Sequence, residues 1–200
     1  MCHLLALLGA HHILHVRRVR VNNTTEGQNN NDLSLTHILP HKQSIEIYHQ
    51  NIRSLRNKIN EVLCHLHHDT PYILCLTDHH LHLDKLASLH IENYTLGAYY
   101  CRKTKHKGAV CMFIHNSIKF TTLSIENYCL DQDSEVCAIH LNSVYDKLCI
   151  LAIYRSTLGH FSNFLSNFDW ILYKFFNLKF NFILCRDINI NYLVESYKKY

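Results

Sequence analysis

Glycine and proline are scarce: 5 and 2 among 200 residues, where average usage would supply about 14 and 10. Collagen-like, proline-rich and Gly/Ser-linker chains are thereby excluded. Charge is also sparse, at 18% against 48% hydrophobic residues, so the chain is neither a disordered tail nor a coiled coil. No run approaches the roughly 18 uninterrupted apolar residues of a membrane span. The apolar patch in residues 1–14 has no basic residue before it and is broken by His3, His11 and His12, so no signal peptide is expected. The sequons at Asn22, Asn23 and Asn93 are then incidental. The nine cysteines lack any C-x-x-C pair, which excludes a zinc ribbon or thioredoxin-type site. Cys75, Cys111, Cys137, Cys149 and Cys185 sit inside apolar runs, where a free cysteine behaves as a small hydrophobe. A reducing, intracellular setting (nuclear or cytoplasmic, not secreted) is expected, with no membrane and no disulfide-linked partner.

The length suits one domain plus a tail, or one domain cut short. Lys and Arg total 20 against 16 Asp and Glu, a net charge of +4 that does not by itself demand a nucleic-acid partner. The basic residues are clumped: Arg17, Arg18 and Arg20 in one group, and Arg102, Lys103, Lys105 and Lys107 around His106 in another. Solvated loops are the plain expectation for both. Residues 1–44 include an Asn/Thr/Gln-rich stretch without sustained period and read as an irregular extension.

From residue 45 the pattern is strand, helix, strand. Ile45 to Gln50 alternates, Leu55, Ile59, Val62, Leu63 and Leu66 recur at helical spacing, and Tyr72 to Leu76 is an apolar run of the kind found in a strand covered on both faces. The stretch from Leu83 to Leu96 has no clear period. Antiparallel strands are expected over 97–101, 109–115, 118–123 and 135–141, then a buried strand over 148–154. A second helix places Phe161, Phe164, Leu165, Phe168, Ile171, Leu172 and Phe175 on one face as core, and 180–185 is a third buried run.

Four of these runs end in polar residues: Gln50 and Asn51, Thr77 and Asp78, Tyr154 and Arg155, Asp187 and Asn189. In layered α/β folds, ligands bind outside the carboxyl ends of strands, so such ends gather on one rim. The oxygen donors Asn51, Asp78, Asp187 and Asn189 suit a hard cation such as Mg²⁺, although Asn and Asp also end strands simply because they start turns.

The segments Gln50-Asn51-Ile52-Arg53-Ser54-Leu55, Leu74-Cys75-Leu76-Thr77-Asp78-His79-His80-Leu81, Lys107-Gly108-Ala109-Val110, Ile153-Tyr154-Arg155 and Asp187-Ile188-Asn189-Ile190, in that order, resemble the endonuclease/exonuclease/phosphatase superfamily. The endonuclease domain of LINE-like non-LTR retrotransposons is the nearest match, from Ile45 onward. The resemblance implies a four-layer α/β sandwich, two mixed sheets flanked by helices, and a Mg²⁺- or Mn²⁺-dependent phosphodiesterase that nicks DNA to prime reverse transcription. It implies that Asn51 orients phosphate and metal, Asp78 stands where the family has its metal-binding Glu, Tyr154 contacts the scissile phosphate, Asp187 acts near the nucleophile and Asn189 steadies the transition state. Beside the rim, Arg102, Lys103, Lys105, Lys107 and Arg155 become candidates for DNA contact.

The departures are specific. Asp78 is one methylene shorter than Glu, and Arg186 and Ala109 replace family glycines. Ser156 replaces a proline, and the sequence ends at Tyr200, before the family's Ser-Asp-His segment. The expectation is an incomplete domain over 45–200 with last strands missing and weak or no activity. Two other readings stand beside it: an inactive nucleic-acid-binding remnant, and a metal-binding protein using Cys64, His65, His67 and His68 with His79, His80 and His82 among its 18 histidines.

Overall fold

A computed structural model describes residues 18–22, 44–68, 70–103, 107–142 and 148–190. In chain order the elements are β1 (Arg18–Asn22), β2 (Ser44–Asn51), α1 (Leu55–His68), β3 (Ile73–Thr77), α2 (Leu83–Ala87), β4 (Tyr94–Tyr100), β5 (Val110–His115), β6 (Phe120–Thr122), a 3₁₀ turn (Glu126–Tyr128), β7 (Glu135–Leu141), β8 (Leu148–Tyr154), α3 (Phe161–Asn177) and β9 (Asn181–Asp187). They form two mixed sheets, ordered β1-β2-β3-β5-β4 and β6-β7-β8-β9. Each sheet contains one parallel pair, β2 with β3 and β8 with β9, joined through α1 and α3. The remaining neighbours are antiparallel.

Strand periodicity explains the layering. Along β3, Ile73 and Cys75 face the second sheet while Leu74 and Leu76 face the helical side. Along β8, Leu148, Ile150, Ala152 and Tyr154 point inward, and Cys149, Leu151 and Ile153 point toward α3. Both strands are buried on two faces, which is why they read as continuous apolar runs. The first sheet's outer face packs against Leu55, Val62 and Leu66 of α1 and Leu86 of α2. The second packs against Phe164, Phe168, Ile171 and Phe175 of α3, all at most 2% exposed. Each such side chain contributes roughly 1.5–3 kcal/mol of burial. The result is a helix–sheet–sheet–helix sandwich, the architecture implied by the sequence resemblance.

Helix α3 begins without a cap of its own. Asp133, from the turn before β7, accepts from the His160 backbone N at 2.7 Å and from Asn163 Nδ2 at 2.7 Å, satisfying donors that the first helical turn cannot pair internally. All eight cysteines among the described residues are free, and the five expected in the core are buried there. No described helix is long and apolar enough to cross a membrane.

One expectation is corrected. The irregular extension contains β1, whose Arg18–Asn22 backbone pairs antiparallel with Ser44–Tyr48 of β2. Val19 and Val21 alternate with Arg18 and Arg20, a strand pattern hidden inside a basic clump.

Candidate active site

The carboxyl ends of β2, β3, β8 and β9 converge, and two contacts cross between the sheets. Asn51 Nδ2, from the end of β2, donates to Asp187 Oδ2 at the end of β9. Tyr154, from the end of β8, brings its phenol beside Asp78, the residue after β3. Burial first, then the nearby charges of Asp78 and Asp187, push the Tyr154 phenol well above its ordinary value. The phenol therefore stays protonated and can donate. Asn189 completes the rim: its Nδ2 donates to the Arg155 carbonyl at 2.7 Å, and its backbone is left-handed at φ 47°.

The loop backbones here are unusual. Arg53, Ser54, Asp78, His80, Ala109 and Asn189 all have positive φ, a conformation unfavourable for side chains with a Cβ. Such backbone cost concentrates where surrounding structure over-determines it. Here it does: Ser54 N donates to the Asp78 carbonyl at 2.9 Å, Asp78 N to Ala109 O at 2.8 Å, and His80 N to Gly108 O at 3.0 Å. Ala109 is held at φ 78°.

His79 is fully buried. Its Nδ1 accepts from Leu81 N at 3.1 Å, and burial, then neighbouring His80, lower its pKa to about 4, so it is neutral near pH 7. His80 Nε2 meets Asp78 Oδ1 at 2.8 Å. A carboxylate can only accept, so the imidazole donates there.

Two arginines expected to reach DNA are placed inside the molecule instead. Arg102 is 6% exposed and its guanidinium is paired with the fully buried Glu135. Burial raises the Glu135 carboxyl, while Arg102 and the backbone donors of Ala109 and Gln132 act in the opposite direction. Arg155 is 2% exposed. Its Nη1 donates to the carbonyls of Ile188 at 2.8 Å and Asn189 at 3.2 Å, and its Nη2 to that of Gly159 at 2.9 Å. Neither side chain lies on a surface that a phosphate backbone could touch. Lys103 and Lys107 are exposed at the ends of the loop, and Lys105 lies outside the described residues.

The sequence pattern did not single out Glu135, and it carried Gly108 only within the Lys107-Gly108-Ala109-Val110 segment, yet both shape this corner. Glu135 is a carboxylate opening an otherwise apolar strand, and that misplaced charge was the available signal. The two histidine groups are kept apart by the fold. Cys64 lies near the end of α1, away from the rim that carries His79, His80 and His82, and the side chains of His65, His67 and His68 lie outside the described residues. Among the described residues no group of three His, Cys, Asp or Glu could hold a metal.

A divalent cation fits the rim chemically. Asp78 and Asp187 both bear on the one phenol, while the nearby guanidiniums are engaged with Glu135 and with backbone carbonyls. The donors are all oxygens, carboxylates and amides, as Mg²⁺ prefers.

No family model and no curated protein matches this chain. Solved structures similar to it include the human Nocturnin catalytic domain with bound sulfate anion, at 16% identity and a TM-score of 0.49, covering 76% of this chain and 66% of that one. They also include the AP endonuclease LMAP from Leishmania major, at 17% identity and a TM-score of 0.38, covering 52% of this chain and 37% of that one. The chain thus spans just under two thirds of the first and little more than a third of the second.

Proposed function

We propose that this rim is the centre of a Mg²⁺-dependent phosphodiesterase acting on DNA, of the target-nicking kind found in LINE-like retrotransposons. The observation that carries the reading is the cross-sheet hydrogen bond of Asn51 with Asp187, with Tyr154 beside Asp78. These four side chains come from four separate strand ends. Asp78 and the Asn51 amide oxygen would hold the cation, which when bound would neutralise phosphate oxygens and the leaving alkoxide. Asp187 takes the proton from the attacking water, and Asn51 orients that carboxylate. Tyr154 donates from its phenol to a phosphate oxygen, and Asn189 supports the developing charge from the neighbouring strand end. Water adds to phosphorus, the bond to the 3′ oxygen breaks, and the leaving alkoxide takes a proton from solvent water to give a free 3′ hydroxyl. Exposed Lys103 and Lys107 contact flanking phosphates and give binding its salt dependence.

Turnover is expected to be slow. Asp78 is shorter than the glutamate usual at this place, and its Oδ1 is engaged by His80, an oxygen the cation would need. That same contact favours the second reading, DNA binding without cleavage.

Nicking of supercoiled plasmid in Mg²⁺, beside EDTA and Asp187→Ala, separates the two. Slow nicking that EDTA abolishes and Asp187→Ala lowers by about 10²–10⁴-fold supports the enzyme. Nicking undiminished by the substitution overturns it. Salt-dependent binding with no nicking above the variant assigns the rim to binding alone.

A further inference from the structure

We infer that Arg102 and Glu135 form a positioning device for Tyr154 that holds its phenol against Asp78. The consequence for turnover rests on the phosphodiesterase reading; the geometry does not.

A buried ion pair is poor evidence of stabilisation, because desolvating two charges offsets their attraction. This one is nevertheless heavily built. Three donors converge on the Glu135 carboxylate, Arg102 Nε at 2.6 Å, Gln132 N at 2.8 Å and Ala109 N, and Arg102 Nη2 stands 2.5 Å from the same carboxylate as its ion-pair partner. They draw Arg102, Ala109 and the turn before β7 onto one group at the start of β7. Glu135 is the cross-strand partner of Tyr154, so whatever it anchors lies beside that ring. What it anchors is the Arg102 guanidinium, whose Cζ is 6.0 Å from the Tyr154 ring centroid, within cation–π reach.

Gly108 shows how closely the guanidinium is fitted. Its φ is +100°, and a Cβ there would lie 2.2 Å from Arg102 Nη2 and 2.3 Å from Cζ. The planar group occupies the space a side chain at 108 would need, so it is confined by Gly108 and Glu135 while it bears on Tyr154. Contacts run from Glu135 through Arg102 to the Tyr154 ring, whose phenol lies beside the rim carboxylate of Asp78, and Arg102 acts through Tyr154 rather than on substrate. A planar guanidinium serves here where an ammonium would not, since Lys lacks both the Nε donor to Glu135 and the flat group set over the Tyr154 ring.

The test uses the full chain labelled with fluorotyrosine, the Tyr154 ¹⁹F resonance being assigned by its loss in Tyr154→Phe. Arg102→Lys keeps the charge and removes the plane. It is expected to shift the Tyr154 resonance while those of Tyr72 and Tyr173 stay in place. In plasmid nicking, KM for DNA should remain within about two-fold and kcat fall about 10-fold or more. The same substitution in a Tyr154→Phe background should cost nothing further. Glu135→Gln is the second variant if Arg102→Lys loses cooperative melting, with the same shift expected. An unmoved Tyr154 resonance, or kcat losses that simply add, overturns the inference. So does a flatter salt dependence of DNA binding with kcat retained, which would make Arg102 a phosphate contact. If the resonance shifts but no variant nicks DNA, the positioning stands and the phosphodiesterase reading fails.

Discussion

The two parallel βαβ units, β2–α1–β3 and β8–α3–β9, bring the same kind of residue to the rim but secure it by different means. In the first, main chain holds main chain: Ile52 N reaches the Thr77 carbonyl at 2.9 Å, Ser54 N that of Asp78 at 2.9 Å, and Leu55 N that of His79 at 3.0 Å. In the second, a single main-chain bond of this kind, Arg155 N to the Asp187 carbonyl at 2.9 Å, is joined by a buried side chain, with Arg155 gathering the carbonyls of Gly159, Ile188 and Asn189. Backbone staples survive most side-chain substitutions, whereas a guanidinium serving three carbonyls does not. The first unit can therefore lose a rim side chain and keep its shape, and the second depends on one residue with no function of its own in the chemistry.

The sharpest way to break that contrast is Arg155→Met. It leaves three carbonyls short of their donors and should lower stability by about 3 kcal/mol or more, measured by urea unfolding. Asn51→Ala in the first unit should cost within about 1 kcal/mol. Equal losses would dissolve the distinction.

Acid should open the first unit before the second. His79 has its pKa lowered to about 4 against an ordinary 6.5, so between those values the unfolded chain binds more protons than the folded one. Its contribution is complete above pH 6.5 and is lost as pH falls toward 4, by at most ~3 kcal/mol. Arg155 keeps its charge throughout. Melting temperatures recorded across that window should fall less in His79→Asn, which retains an acceptor for Leu81 N and does not titrate. An unchanged acid slope would place the loss elsewhere.

The smallest effect sharpens the account of the first unit's loops. If Ala109 is held at φ 78° only by its neighbours' hydrogen bonds, Ala109→Gly relieves a steric cost and should raise stability by about 0.5–1 kcal/mol, net of glycine's greater unfolded entropy. A loss of stability would mean that the buried methyl matters more than the backbone.

Most strands were legible because a strand covered on both faces is apolar at every position: 135–141 and 148–154 have the bounds expected, and the Phe164, Phe168, Ile171 and Phe175 stripe marks the buried face of α3. The polar ends of four such runs pointed correctly to one rim. Strand β1 was not read, because two valines between two arginines look like a charge clump until β2 lies alongside. The basic loop misled for a related reason. A run of Arg and Lys reads the same whether it is solvated or paired, and nothing near Arg102 in sequence announces Glu135, 33 residues on.

What the sequence by itself determined, apart from β1 and α2, was the order of strands and helices, the layers that cover them, and which polar residues end which strands, because period and burial are local properties of a chain. Tertiary structure alone decided which of those ends touch and which cations face inward. Asn51 meets Asp187 from 136 residues away, and Arg102 and Arg155 are charges that only a partner across the fold could make tolerable in the interior.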